Sequence, residues 1–108
     1  SHYGLDNLTA IVDRNRIQND RPTDQVMNLE PFVKKWRAFG WKVFEIDGHD
    51  MSEILSSLNQ ISEVKGQPVV ILAHTVKGKG VSFMENNPAF HGAPPNKDQM
   101  EKAIRELS

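Results

Sequence analysis

The chain has 108 residues, of which 38% are hydrophobic and 25% are charged, and its formal net charge is −1. This length suits one small globular domain, and the charge lacks the basic excess that nucleic-acid binding requires. There is no cysteine, which excludes disulfides and thiol chemistry. No apolar run reaches the roughly 18 residues of a membrane span, and no signal peptide is visible. We therefore predict a cytoplasmic protein that binds neither nucleic acid nor membrane.

The first part of the chain predicts a strand, a long polar loop and a helix. Residues 8–12 are β-branched and apolar, which is typical of a buried strand. The segment 13–27 is rich in Asn, Asp and Arg. Pro31 then suits the first turn of a helix that stops at Gly40. Its apolar residues recur at helical spacing: Leu29, Phe32, Val33 and Trp36.

The middle of the chain predicts two more strands around a second helix. Residues 41–46 indicate the second strand, and Asp50 with Glu53 three positions later indicates a capping box at the start of the helix. The expected inward stripe of this helix is Met51, Ile54, Leu55, Leu58 and Ile61. Residues 69–73 are apolar at every position, as in a strand of a parallel sheet that is covered on both faces.

The last part predicts a polar, glycine-rich loop from His74 to about Lys97 and a final helix. Asn96 and Gln99 can cap this helix, and its inward residues are Met100, Ala103, Ile104 and Leu107. The order of elements predicts an α/β fold, in which three parallel strands carry helices on their faces. Ligands of such folds bind beyond the carboxyl ends of the strands, where the two long loops begin.

Three loops carry candidate chemistry. In the first, residues 13–20, an Asn side chain and a nearby backbone carbonyl can supply oxygen ligands to Mg²⁺. A polar turn that satisfies its own backbone explains the same pattern and is more common. In the second, Lys77 and Lys79 alternate with glycines, which favours phosphate binding without matching a Walker motif. A flexible turn with solvated lysines is the alternative.

The third loop contains His91, which lies between Phe90 and a Gly-Ala-Pro-Pro segment. An imidazole near neutrality suits proton transfer or a hydrogen bond to phosphate, although a histidine in a loop is often only solvent-exposed. Two other patterns favour structural roles. Asp47, His49 and Asp50 resemble a metal cluster, but a helix cap explains Asp50 more simply. Three aromatic residues suggest a stacking platform for bases, but their spacing favours core packing: Trp36, Phe39 and Trp41.

Six short motifs occur in an order and spacing that resembles transketolases. They are the stretches 13–17, 39–41, 47–50, 74–81, 83–86 and 91–94. The resemblance is strongest to the bacterial and archaeal type whose enzyme is split into two polypeptides. It covers nearly the whole chain, and implies that residues 1–108 are the later half of the diphosphate-binding domain in the amino-terminal subunit.

The resemblance also implies individual roles. Asn15 matches the residue whose side chain binds Mg²⁺ (or Ca²⁺), and Ile17 matches the one whose carbonyl binds the same metal and whose side chain lines thiamine diphosphate. His91 matches a histidine near the diphosphate that is implicated in proton transfer. Lys77 matches a lysine at the mouth of the active site, and Asn19 a position beside the cofactor.

The implied activity is transfer of a two-carbon ketol unit from a ketose phosphate to an aldose phosphate, in the pentose phosphate pathway. The Gly-Asp-Gly half of the metal motif is absent, so we expect it upstream, and the pyrimidine-binding domain is absent too. The family often has Ile-Asp-Gly after the Asn, where this chain has Asn19-Asp20-Arg21, and Phe90 replaces a more usual Trp. We therefore expect the isolated chain to be inactive.

The expected partner is a carboxyl-terminal transketolase subunit, within a homo- or hetero-oligomer. Two alternatives stay open. A split ketol transferase that acts on a branched or sulfonated sugar would share these motifs. A non-catalytic assembly module with a decayed cofactor site is the other alternative, and the presence of Asn15, Ile17 and His91 argues against it.

Overall fold

A computed structural model describes all residues from 1 to 108. The strands are β1 (Thr9–Arg14), β2 (Ile17–Gln18), β3 (Arg21–Pro22), β4 (Lys42–Asp47) and β5 (Val69–His74). The helices are α1 (Thr23–Val26), α2 (Phe32–Ala38), α3 (Met51–Ile61) and α4 (Lys97–Leu107), with a 3-10 turn at Pro88–Phe90. The chain divides into two compact units, one of residues 1–14 and 29–75, the other of residues 15–28 and 76–108.

The first unit is built on a three-stranded parallel sheet in the order β1-β5-β4. The predicted α/β fold with a parallel sheet is therefore confirmed. The central strand is the one that is apolar at each of its first five positions, and Val69 to Leu72 are at most 2% exposed. A strand that is paired on both edges and covered by helices on both faces has no solvent-exposed side for a polar side chain. This explains why β5 is apolar from Val69 to Ala73.

Each face of the sheet has its own cluster of buried residues. On one face, α2 packs its aromatic residues against Val43, Val70 and Leu72. On the other face, Ile54 and Ile61 of α3 pack against residues of β4 and β5: Ile46, Ile71 and Ala73. Trp36 and Trp41 pack in the first cluster with their rings 5.0 Å apart, edge to face.

Strand β1 is less buried than its sequence predicts. It pairs with β5 on one edge only, and Ile11 is 65% exposed. Ala10 and Val12 face the α2 cluster, whereas Ile11 points to the other face of the sheet. There α3 packs against β4 and β5 and leaves Ile11 uncovered. The prediction of a buried first strand was therefore wrong for this face.

The predicted inward stripe of helix α3 is confirmed for Ile54 and Ile61 only. Ile54, Ser57 and Ile61 face the sheet, and Ser57 is only 2% exposed. Its buried hydroxyl is satisfied by donating to the Ile54 carbonyl at 2.8 Å. Three residues of the predicted stripe are exposed instead, by 43 to 65%: Met51, Leu55 and Leu58. A small serine lets the helix approach the sheet, a feature that hydrophobicity alone does not predict.

The two predicted helix caps had different outcomes. The Asn96 and Gln99 capping box of α4 is present in both directions. Asp50 caps α3 by accepting from the N–H groups of Ser52 and Glu53. The Glu53 carboxylate does not return to Asp50, but accepts from the Asp47 N–H at 2.7 Å. The Glu53 side chain thus stabilises the turn before the helix and does not complete a capping box with Asp50.

The second unit contains the β2–β3 hairpin, α1, the 3-10 turn and α4. Helix α4 keeps its apolar side mainly exposed, against prediction: Met100, Ile104 and Leu107 are 47, 57 and 65% exposed. None of the helices combines the length and the apolarity needed to cross a bilayer.

Candidate functional site

Two long loops begin side by side at the carboxyl edge of the sheet. The last residues of β1 and β5, Arg14 and His74, are partners in the parallel register. The Thr75 hydroxyl donates to the Asp13 carboxylate, which ties the starts of the two loops together. The prediction that both loops begin at this edge is confirmed, and it is the edge at which parallel sheets usually bind ligands.

The turn 47–50 has a structural role at the same edge. The Gly48 N–H donates to the His74 carbonyl at 2.8 Å. A Cβ at Gly48 would lie only 2.5 Å from the Thr75 Cγ2 atom, so no other residue fits there without displacement. No group of three acidic or histidine side chains is placed to hold a metal ion. The helix-cap interpretation of Asp50 is thus preferred over the metal cluster.

The aromatic residues of α2 and its C-terminal turn also have mainly structural roles. The core-packing interpretation is confirmed for Trp36 and Trp41 but is wrong for Phe39, which is 74% exposed. Phe39 lines an open apolar groove of about 500 Å³ together with Phe32, Trp36 and Trp41.

The candidate metal-binding residues lie in a tight turn after β1. The Asn15 Oδ1 atom accepts from the Ile17 N–H at 2.9 Å, and both residues are half-buried. Arg16, between them, has a φ of 62°. This left-handed conformation is uncommon for a residue with a long side chain. The turn is therefore held in its shape by its surroundings, and strained backbone of this kind is frequent at binding sites.

The hairpin geometry decides where the Ile17 carbonyl points. Gln18 pairs with Arg21 across a two-residue turn, and Ile17 pairs with Pro22. Pro22 has no N–H to donate, and in an antiparallel ladder the N–H and C=O of alternate residues face away from the partner strand. The Ile17 carbonyl thus faces the same edge as its N–H, where the Asn15 side chain lies. One amide oxygen and one peptide oxygen at one edge suit Mg²⁺.

Asn19 lies at the tip of this hairpin. It is exposed and has a φ of 54°, a conformation that Asn adopts more readily than most residues. Of the stretch that departs from the family pattern, Asn19 and Asp20 form the turn itself, and Arg21 begins β3. The turn requirement accounts for Asn19, and its role beside a cofactor stays a prediction.

The loop with alternating lysines and glycines, residues 77–80, continues to Ser82 and is called here the lysine and glycine loop. It is held by specific contacts. The Lys77 carbonyl accepts from the Asn86 N–H at 2.9 Å. Gly78 has a φ of 75°, and a Cβ there would lie 2.6 Å from the Met84 carbonyl oxygen. Lys77 is half-buried, whereas Lys79 is exposed. These contacts argue against the alternative of a flexible turn with two solvated lysines.

His91 follows the 3-10 turn Pro88–Phe90. Its N–H donates to the Pro88 carbonyl at 2.9 Å, and its side chain is exposed. The Phe83 and Phe90 rings lie 5.6 Å apart, so Phe90 packs within the loop. The imidazole is thus carried on a short, ordered turn and is accessible for hydrogen bonding.

All five candidate site residues belong to the second unit: Asn15, Ile17, Asn19, Lys77 and His91. Sequence reasoning missed the acidic residues that brace the lysine and glycine loop. Glu85 accepts from the Gly80 N–H at 3.0 Å, and Glu106 accepts from the N–H and hydroxyl of Ser82. These hydrogen bonds from Ser82, and then the charge of Lys102, lower the pKa of Glu106. Nothing in the sequence pattern links residue 106 to this loop.

Comparison with known proteins identifies the family. The model of the transketolase thiamine diphosphate binding domain matches residues 1–108. The chain belongs to the transketolase family. It is 44% identical over 108 residues to one of the subunits of an apulose-4-phosphate transketolase from Phocaeicola vulgatus, and the match covers 100% of this chain and 38% of that protein.

A second relative is one subunit of a 6-deoxy-6-sulfo-D-fructose transketolase from Clostridium sp.. It is 44% identical over 103 residues, which are 95% of this chain and 38% of the relative. The chain thus spans 38% of the length of both relatives. Among solved structures, the transketolase of Campylobacter jejuni superposes with a TM-score of 0.88 at 31% identity, over 97% of this chain and 16% of that one. The predicted family and fold are therefore confirmed.

Proposed function

We propose that this chain is the later half of a diphosphate-binding domain, in the amino-terminal subunit of a split transketolase. The observation that carries the proposal is the turn in which the Asn15 side chain meets the backbone edge of Ile17. This pair of oxygen donors fits the metal that bridges a diphosphate to protein. The identity to two transketolase subunits supports the same conclusion.

The proposed roles follow from the chemistry of each group. The Asn15 amide oxygen and the Ile17 carbonyl would hold Mg²⁺, with a further acidic ligand from outside these residues. The Ile17 side chain and Asn19 would lie beside the cofactor. The Lys77 ammonium would attract anionic groups, and His91 would hold or move a proton at the reacting carbonyl. Thiamine diphosphate supplies the electron sink that makes ketol transfer feasible.

The proposed reaction moves a two-carbon ketol unit from a ketose phosphate to an aldose phosphate in the cytoplasm. A carboxyl-terminal partner within an oligomer is part of the proposal, because the two relatives at 44% identity are named as subunits of transketolases. A second candidate is ketol transfer from another sugar. Two relatives at 44% identity carry names that specify apulose-4-phosphate and 6-deoxy-6-sulfo-D-fructose, which favours it.

The metal role is tested by Asn15→Ala in the full-length protein, assembled with its partner. Asn59→Ala is the matched control, because Asn59 is exposed on α3 and accepts from the Ser62 hydroxyl through its backbone carbonyl, which the substitution keeps. We expect Asn15→Ala to weaken the binding of thiamine diphosphate with Mg²⁺ at least tenfold in a calorimetric titration, and Asn59→Ala to match the wild type. Unchanged affinity of Asn15→Ala would contradict the metal role.

The substrate and the extent of the domain need separate measurements. Turnover by the assembled enzyme with unbranched ketose phosphates, apulose-4-phosphate and 6-deoxy-6-sulfo-D-fructose distinguishes the two candidate reactions. The isolated 108-residue chain is expected to bind thiamine diphosphate poorly. Micromolar binding by that chain alone would show that the proposed site is complete without a further acidic ligand.

A further inference from the structure

The end of helix α4 clamps the lysine and glycine loop. The Glu106 carboxylate accepts from the Ser82 N–H at 2.5 Å and from the Ser82 hydroxyl at 2.8 Å. Leu107, the next residue, lies against the loop, because a Cβ on Gly80 would come within 2.9 Å of its Cδ2 atom. Two adjacent helical residues thus contact two positions of one turn.

The loop transmits this restraint toward Lys77. Val81, next to Ser82, is only 6% exposed, and its N–H donates to the Gly78 carbonyl at 3.1 Å. Gly78 in turn packs against the backbone of Met84. Each step between Ser82 and Lys77 is therefore a close contact, and the backbone has little room to adjust.

We propose that Glu106 is a positioning residue, which holds this turn so that the Lys77 ammonium faces the phosphate groups that the site binds. The inference rests on the proposed function, since it assumes that Lys77 meets an anionic ligand. A lysine on a mobile turn loses conformational entropy when it pairs with phosphate, and a clamped turn has already lost much of it. The phosphate belongs either to the cofactor or to the sugar.

The test uses the full-length protein with its partner, and three single variants. Glu106→Ala removes both hydrogen bonds to Ser82, and Ser82→Ala removes only the one from the hydroxyl. Glu101→Ala is the control, because Glu101 is an exposed carboxylate on the same helix. We expect Glu106→Ala to weaken one binding constant roughly three- to tenfold, Ser82→Ala less, and Glu101→Ala not at all. A change in the Kd of thiamine diphosphate assigns the phosphate to the cofactor, and a change in the KM of the sugar phosphate assigns it to the substrate.

A double-mutant cycle separates positioning from general stability. If Glu106 acts through Lys77, the loss caused by Glu106→Ala disappears in a Lys77→Ala background. The inference is overturned if the losses of Glu106→Ala and Lys77→Ala multiply in the double variant. It is also overturned if Glu106→Ala lowers the Tm but leaves Kd and KM unchanged. If Glu106→Ala does not fold, the cycle is run with Ser82→Ala. A wild-type enzyme that binds no thiamine diphosphate would refute the proposed function, and this inference with it. Wild-type binding with unaffected variants refutes the inference alone.

Discussion

Replacing Gly78 by alanine should destabilise the protein more than the same change at Gly66. Both glycines have a left-handed backbone, with φ values of 75° and 74°. A Cβ at Gly78 would lie 2.6 Å from the Met84 carbonyl oxygen, 2.7 Å from its carbonyl carbon and 2.8 Å from its Cβ. At Gly66 no atom lies within 4 Å of the added Cβ. The two variants therefore share the conformational cost and differ in the steric one.

The expected magnitudes follow from these contacts. A left-handed alanine costs about 1–2 kcal/mol, and the loss of unfolded-state freedom offsets about 0.4–1 kcal/mol of it. Gly66→Ala should thus lower the free energy of unfolding by about 1 kcal/mol. Gly78→Ala adds the cost of forcing an atom into packed backbone, about 1–3 kcal/mol, for a total of about 2–4 kcal/mol.

The assay is urea unfolding of the full-length protein, followed by circular dichroism. The difference in free energy between the two variants cancels the conformational contributions and reports the clash with Met84. Equal stability of the two variants would refute the reasoning, because it would mean that the loop moves away from Met84 without cost. The second expected outcome is weaker binding of the phosphate-bearing ligand, either thiamine diphosphate or the sugar phosphate, by Gly78→Ala only, since Lys77 is its neighbour.

Two further predictions concern the core and the pH dependence. Leu72→Ala should lower the free energy of unfolding by about 2–5 kcal/mol in the same urea assay, because Leu72 is 1% exposed in the central strand and the cavity cannot collapse; a loss below that range would mean that the strand is less well packed than its burial indicates. The pKa of Glu106 is lowered, chiefly by the Ser82 N–H, so the contact with Ser82 stabilises the folded state above the ordinary value of 4.5 and is lost as the pH falls through the lowered value. The difference in Tm between the wild type and Glu106→Gln should therefore shrink as the pH falls below 4.5 and through the lowered pKa of Glu106. A difference that stays constant as the solution is acidified would contradict the assignment.

The sheet was predictable where residue chemistry alone decides the outcome. The run from Val69 to Ala73 indicated a strand covered on both faces, and it is the central strand. The burial of Ile11 was not predictable from its own run of residues. Whether a β-branched residue on an edge strand is covered depends on which elements lie opposite, and that is a property of the tertiary arrangement.

Helix α3 shows the same limit from another side. Its apolar residues allow two overlapping faces, and only packing selects the one with Ile54 and Ile61. Ser57 lies between them and is buried, and its hydroxyl is satisfied by a hydrogen bond to the Ile54 carbonyl of its own helix. A prediction based on hydrophobicity places such a serine on the solvent side of the helix. The predicted inward face is therefore rotated about the helix axis relative to the observed one.

The sequence predicted which residues form the candidate site but not the backbone geometry that brings them together. Resemblance to a family singled out Asn15 and Ile17, but their hydrogen bond depends on the left-handed backbone of Arg16. No propensity of arginine indicates that conformation. The same holds for Glu106, which meets Ser82 from 24 residues away in the chain.

Backbone strain is concentrated in the unit that carries the candidate chemistry. All three non-glycine residues with positive φ belong to the second unit: Arg16, Asn19 and Asn86. For Arg16 this conformation costs about 1–2 kcal/mol relative to glycine, and for the two Asn residues less, a cost that selection for stability alone would remove by placing glycine there. Arg16 separates the two proposed metal ligands, and Asn86 donates to the Lys77 carbonyl. The strained positions thus adjoin the residues for which we propose a function, which is the pattern expected of a preorganised binding site.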